Sequence, residues 1–175
     1  DSIKAHNIYF RQEGDKIMGV SDLVVTNVGV QPLAHPVLYL NPGLEVTALT
    51  GEQGENLSYT RESQAILLEK ALQPGEEILL HLVYEGKIDE AICFLDFTNE
   101  EFHDTRLMSF FQTYHSMFRH GRCFARVGDD YTLLFPECLW YPVAVSPVNV
   151  SAPLARQYDF TRYRLKVGDI GERVA

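Results

Sequence analysis

Residues 72–89 read LQPGEEILLHLVYEGKID, and this stretch decides the fold. Pro74 presets φ and Gly75 accepts a positive φ, which is the chemistry of a tight turn. From Glu77 the pattern is that of a strand. Ile78, Leu80, Leu82 and Tyr84 project to one side, and Leu79, His81, Val83 and Glu85 to the other. A strand that is apolar on both sides is expected inside a sheet covered twice, as in a sandwich. It stops at Gly86 and carries no catalytic motif.

Outward from this strand, turn signals recur roughly every ten residues from Gly14 to Gly86, the rhythm of an all-β sandwich or barrel. Residues 3–11 and 16–27 read as a hairpin about Glu13-Gly14-Asp15. Residues 36–40 are a short apolar run that suits a central strand, and Asn41-Pro42-Gly43 turns the chain into 44–49. Residues 56–60 and 63–69 form the next pair. At Thr98 the texture changes. Asn99, Glu100 and Glu101 suit a helix start, and Leu107, Phe110, Phe111, Tyr114 and Phe118 recur at helical spacing, which predicts one helical insertion near 99–120. Residues 123–127 and 131–135 make a hairpin. In the closing strand, 161–167, Tyr163, Leu165 and Val167 are expected to face in, and Arg162, Arg164 and Lys166 out.

The fold class that follows is all-β, an antiparallel β-sandwich with one helix. The 175 residues suit a single domain, 1–175, with 46% hydrophobic and 22% charged residues. A net charge of −9 argues against a nucleic-acid partner and against adsorption to an anionic membrane. No apolar run approaches the roughly 20 residues of a membrane-spanning helix, and no signal-peptide pattern is present. Asp1 enters almost directly into strand-like sequence and only a short polar tail follows the last strand, so a piece of a longer protein is expected. Cys93, Cys123 and Cys138 form neither an even disulfide set nor a close-spaced metal pair, and buried free thiols are expected.

Few residues suggest chemistry. His115 and His120, near His103, Asp104 and Cys123, are five apart rather than four, so a regular helix would not bring them to one ion. The acidic pairs Glu76-Glu77, Glu100-Glu101 and Asp129-Asp130 sit at turns or a helix start, where acids are expected for structural reasons. Asn56-Leu57-Ser58 and Asn149-Val150-Ser151 fit the glycosylation sequon. No catalytic, cofactor-binding or metal residue is assigned, and no cofactor is expected. An interaction surface is the better reading: Tyr131, Trp140 and Tyr141 as aromatic contacts, for a docking face or a peptide or glycan groove, and Arg162, Arg164 and Lys166 as a basic row. Trp140, the only tryptophan, is expected to be substantially buried.

Asn41-Pro42-Gly43-Leu44-Glu45-Val46, Tyr59-Thr60-Arg61, Leu72-x-Pro74-Gly75-Glu76 and Tyr84-x-Gly86 occur in one order, which resembles the N-terminal β-domain of zinc aminopeptidases of the aminopeptidase N and leukotriene A4 hydrolase type. Residues 135–142 and 160–167 resemble that family's later segments, so the likeness runs from about Gly19 to Val167. It implies a saddle-shaped β-domain that lies beside a metallopeptidase domain and covers one side of its cleft. Two departures matter. After Pro142 the family's Cys-x-Asp-x-Pro is replaced by Val143-Ala144-Val145-Ser146-Pro147, and the place of its amine-anchoring Gln or Glu falls on Leu133 and its apolar neighbours. The resemblance therefore implies a non-catalytic domain whose partners are neighbouring domains of the same polypeptide. It is similar in this to divergent peptidase-like regions fused to ABC-type transporter permeases, which implies a membrane-tethered bacterial parent without membrane insertion by this chain.

Overall fold

The computed structural model describes residues 1–92, 94, 125–145 and 161–168. The proposed helix at 99–120 lies outside them, as do His103, Asp104, His115, His120, Cys93 and Cys123. The described part is all-β and sandwich-like. Its strands are β1 (Ser2–Glu13), β2 (Lys16–Thr26), β3 (Val37–Tyr39), β4 (Leu44–Thr50), β5 (Tyr59–Glu62), β6 (Ala65–Leu68), β7 (Glu77–Gly86), β8 (Ala125–Val127), β9 (Thr132–Leu134) and β10 (Arg162–Val167). A single 3-10 turn, Pro136–Cys138, follows β9.

A five-stranded sheet has the order β10-β1-β2-β7-β4, a three-stranded sheet the order β3-β6-β5, and β8 pairs with β9. β7 is an interior strand, as its two apolar sides led one to expect, with β2 and β4 antiparallel on either side. The inner face is built in rows across the strands. His6, Leu23 and Leu80 form one; Ile8, Ser21 and Leu82 the next; Phe10, Gly19 and Tyr84 the third. One apolar cluster joins Leu23, Leu80 and Leu82 of this sheet to Leu38, Ile66 and Leu68 of the smaller sheet. That shared cluster is what packs the two layers.

Three expectations need correction. Among the described residues the sheet is covered on its inner side only: on the second side of β7, Leu79 is 39% exposed and Val83 half-buried. Their apolar contacts come from cross-strand neighbours, Val24 beside Leu79 and Val20 and Ala48 beside Val83, so no second layer is needed to accommodate them. β3 is not central; it is a three-residue strand at the edge of its sheet, bridged at Tyr39 to Val143. β10 runs parallel to β1, Ala5 opposite Arg162 through Phe10 opposite Val167, so the large sheet is mixed rather than antiparallel. The register places Tyr163, Leu165 and Val167 on the core side as expected, but they are 54%, 53% and 45% exposed. An edge strand has packing partners on one flank only, and alternation reports direction, not cover.

Gly19 shows how closely the inner rows fit. A Cβ there would lie 2.1 Å from Cζ of Tyr84, whose fully buried ring covers the glycine from the next strand. Gly19→Ala is expected to lower stability by about 2 kcal/mol through overpacking. In urea melts, combining it with Tyr84→Leu should cost less than the two single changes added together; simple additivity would refute the contact.

Candidate functional site

Of the segments quoted for the family resemblance, those around Asn41, Arg61 and Gly86 meet at one corner of the sandwich, whereas Leu72-x-Pro74-Gly75-Glu76 lies at the other end of β7, beside Asn27. Asn41 sits at the turn before β4, and its amide is completely used. Nδ2 donates to the carbonyls of Asp89 (3.0 Å) and Cys138 (2.7 Å), and Oδ1 accepts from the amides of Gly43 and Asp89, both at 2.9 Å. Arg61 on β5 reaches the same turn and donates to the carbonyls of Leu44 (2.6 Å), Asn41 (2.8 Å) and Leu40 (3.4 Å). Burial lowers the pKa of its guanidinium from the ordinary value. Gly43 and Gly86 touch through their backbones, and a Cβ on Gly86 would lie 2.3 Å from the Gly43 carbonyl oxygen. The corner is thus a lock between β4, β5, β7 and the segment ending at Leu139. Its donors are spent on main-chain carbonyls, so it has structural rather than chemical capacity.

A second cluster lies where β1 meets β10. His6 is fully buried, and neither ring nitrogen has a hydrogen-bond partner. Its ring lies 5.6 Å from that of Tyr141 and 5.8 Å from that of Tyr163, centroid to centroid. Desolvation lowers the His6 pKa to about 4, opposed by the charge of Asp22, so the imidazole is neutral at physiological pH. The Tyr141 phenol is raised above its ordinary range by burial and by the neighbouring Tyr163. Trp140 stands edge-on to Phe10 at 5.4 Å and to Tyr141 at 4.7 Å. It is partly buried and packs against the core. These contacts fasten the segment after the 3-10 turn to β1, the part an aromatic anchor plays.

Of the six residues proposed as an interaction surface, the structure brings Trp140 and Tyr141 to the β1–β10 side. Tyr141 touches Tyr163 there, between Arg162 and Arg164 in sequence. Tyr131 is elsewhere, at the start of β9, half-exposed, with the Arg126 guanidinium 4.6 Å above its ring. Leu133, the place of the family's amine anchor, lies on β9 and is 40% exposed. Cys138 is a buried free thiol whose pKa burial pushes up to about 12, so it is no nucleophile at neutral pH. Among the described residues no group of three or more His, Cys, Asp or Glu side chains is placed to hold a metal ion, and no helix is long and apolar enough to cross a membrane. An open cleft of about 500 Å³ lies at the β2–β7–β4 end, where Glu45 and Glu85 are opposite each other and Lys16 and Lys87 stand nearby.

No protein-family model and no curated protein matches the sequence. Solved structures do. An M1 zinc metallopeptidase from Deinococcus radiodurans is 22% identical with a TM-score of 0.45, over 52% of this chain and 21% of that one. A two-domain M1 zinc metallopeptidase mutant bound to L-tryptophan is 19% identical with a TM-score of 0.45, over 55% and 24%. The chain therefore spans between 21% and 24% of the length of these proteins.

His6 was not legible as a special residue because of a bulge. The ladder between β1 and β2 shifts between Ile3 and Ala5, which breaks the alternation that would tie Ile3 to His6, Ile8 and Phe10. The surviving signal was the spacing of His6, Ile8 and Phe10 by two.

Proposed function

We propose that the chain is a non-catalytic interaction domain, residues 1–175, of a longer zinc-aminopeptidase-like or permease-fused protein, which packs on a neighbouring domain and shapes its cleft. The outer face of the five-stranded sheet carries this reading. One row across it is Lys166, Tyr9, Val20, Val83 and Ala48; another is Arg162, Ala5, Val24 and Leu79. Tyr9, Met18 and Leu79 are exposed there and the valines half-buried, and between these two apolar rows runs a polar one, Arg164, Asn7, Asp22 and His81, in which Asp22 and His81 are paired at 2.6 Å. Exposed apolar rows interleaved with a polar one suit an interface between domains, which is more polar than a protein core. The motif corner supports the reading from inside, since it spends its polar groups on holding the sheet's end in shape.

The test is accessibility. Leu79→Cys in the isolated chain should react with a maleimide at the rate of an exposed thiol. In the natural-length polypeptide the same cysteine should react at least about tenfold more slowly, as expected for a position covered by an interface. Equal rates in the two would show that nothing packs on this face.

A further inference from the structure

We propose that the free edge of β10 accepts an extended segment in which acidic and apolar residues alternate, adding a further strand to the five-stranded sheet. The inference does not depend on domain packing over the outer face; it concerns the edge of the sheet and the chemistry of what pairs with it.

Among the described residues β10 pairs with β1 on one side and with no strand on the other, so none of them satisfies the backbone donors and acceptors of its second edge. All six of its residues are exposed. Its two faces differ sharply. On the core side Tyr163, Leu165 and Val167 continue the rows of His6, Ile8 and Phe10, so the inner layer runs on to the edge and ends in half-exposed apolar side chains, of which Tyr163 also touches Tyr141. On the other side stand Arg162, Arg164 and Lys166, whose β1 neighbours are Ala5, Asn7 and Tyr9, none of them acidic.

Charge selects the partner. Four other cations are matched, Lys4 with Glu77, Arg11 with Glu13, Lys87 with Asp15 and Arg126 with Asp130, whereas the exposed Lys16 and Lys70 have no carboxylate partner among the described residues. The three β10 cations have no carboxylate partner among the described residues, and Lys166 stands instead 5.9 Å from the Tyr9 ring. In a chain of net charge −9 this is, among the described residues, a local excess of positive charge. Edge strands are commonly protected by a charge turned toward the core side. Here every charge is on the outer side, which leaves the core side apolar and open to pairing. A strand with carboxylates at alternate positions would meet the three cations with one face and extend the apolar rows with the other, while its backbone completes the ladder.

Fluorescence anisotropy with the whole 175-residue chain tests this. The probe is a labelled peptide of about eight residues in which Glu alternates with Val or Leu, long enough to match β10. It should bind with a Kd below about 100 µM, and its Lys-for-Glu counterpart should not. N-methylating the peptide along one edge should weaken binding at least about tenfold, because a strand cannot pair without its donors. Arg164→Glu with Lys166→Glu should lose the Glu peptide and gain the Lys peptide. Both positions are exposed, and unchanged melting will show that the variant folds. Absence of binding up to about 1 mM overturns the proposal. So does binding indifferent to N-methylation, which would be charge adsorption alone. A preference for polyphosphate over the peptide, or self-association of the chain through β10 in place of peptide binding, overturns it as well.

Discussion

Gly86→Ala is expected to destabilise the chain by on the order of 4 kcal/mol. Two effects add: a side chain at a glycine-only backbone angle costs about 1–3 kcal/mol, and displacing packed atoms about as much again. Gly86 has a φ of 148° and pairs with Leu44, and its Cβ would lie 2.3 Å from the Gly43 carbonyl oxygen. That neighbour is main chain, so it cannot turn away as a side-chain tip would. Nor can Gly43 retreat, because its own Cβ position lies 2.0 Å from the Lys87 carbonyl oxygen, and Asn41 holds its amide at 2.9 Å. Gly75 is the control. It also has a positive φ, 76°, but open space around it, so Gly75→Ala isolates the backbone term at about 1 kcal/mol. Urea melts of the two variants should differ by several-fold in stability lost. Equal losses would mean that the Gly43–Gly86 contact yields easily and that the corner is no lock.

That corner shows where sequence reading succeeds and where it stops. Pro74-Gly75, Gly14 and Asn41-Pro42-Gly43 were recognisable as turns because turn chemistry is local: Pro and Gly fix or free φ wherever they occur. β7 was recognisable because burial on the inner side is written as alternation along one strand. Arg61 was not, although Tyr59-Thr60-Arg61 stood out as a motif. Its role is to donate to carbonyls at Leu40, Asn41 and Leu44, about twenty residues back, and a main-chain acceptor leaves no mark in the sequence. The boundary placed after Thr60 was wrong for the same reason: Arg61 and Glu62 are in β5, and the hairpin turns at Ser63, which adopts a φ of 54°.

β10 is the instructive partial success. Its six residues alternate so cleanly that both faces were assigned to the correct sides of the sheet. What alternation cannot carry is whether anything lies against a face, nor whether a strand runs parallel or antiparallel to its neighbour. Those depend on the rest of the fold. The basic row is likewise where the sequence put it, but its lack of acidic cross-strand partners became visible only once β1 was found beside it.

His6 makes the second large effect, one of pH. Its ordinary pKa of 6.5 falls to about 4 in the folded chain, because the protonated ring would be buried with no acceptor for either N–H. Between those two values the unfolded chain binds a proton that the folded chain refuses, so stability rises with pH across this window. His6 therefore imposes no penalty above about pH 6.5, and as pH falls to about 4 it removes roughly 3 kcal/mol, at about 1.4 kcal/mol per pH unit. The groups that face it set the sign. Asp22 favours the protonated form but does not offset burial, and the Tyr141 phenol, raised by burial, stays neutral throughout the window. Asp15 and Asp130 do not mimic the effect. Lys87 lowers the first, and a backbone hydrogen bond at Tyr131 the second, so both lose their ionised-state contribution below the ordinary carboxylate range. The measurement is urea denaturation from about pH 7.5 to about pH 4 on the native chain and on His6→Leu, which keeps an apolar side chain among Leu23, Tyr141 and Tyr163. Whatever the variant's stability at neutral pH, its decline between pH 6.5 and 4 should be shallower than the native chain's by roughly 3 kcal/mol in total. Parallel declines would show that the His6 proton finds an acceptor on entry, and that the β1–β10 junction opens to water at little cost.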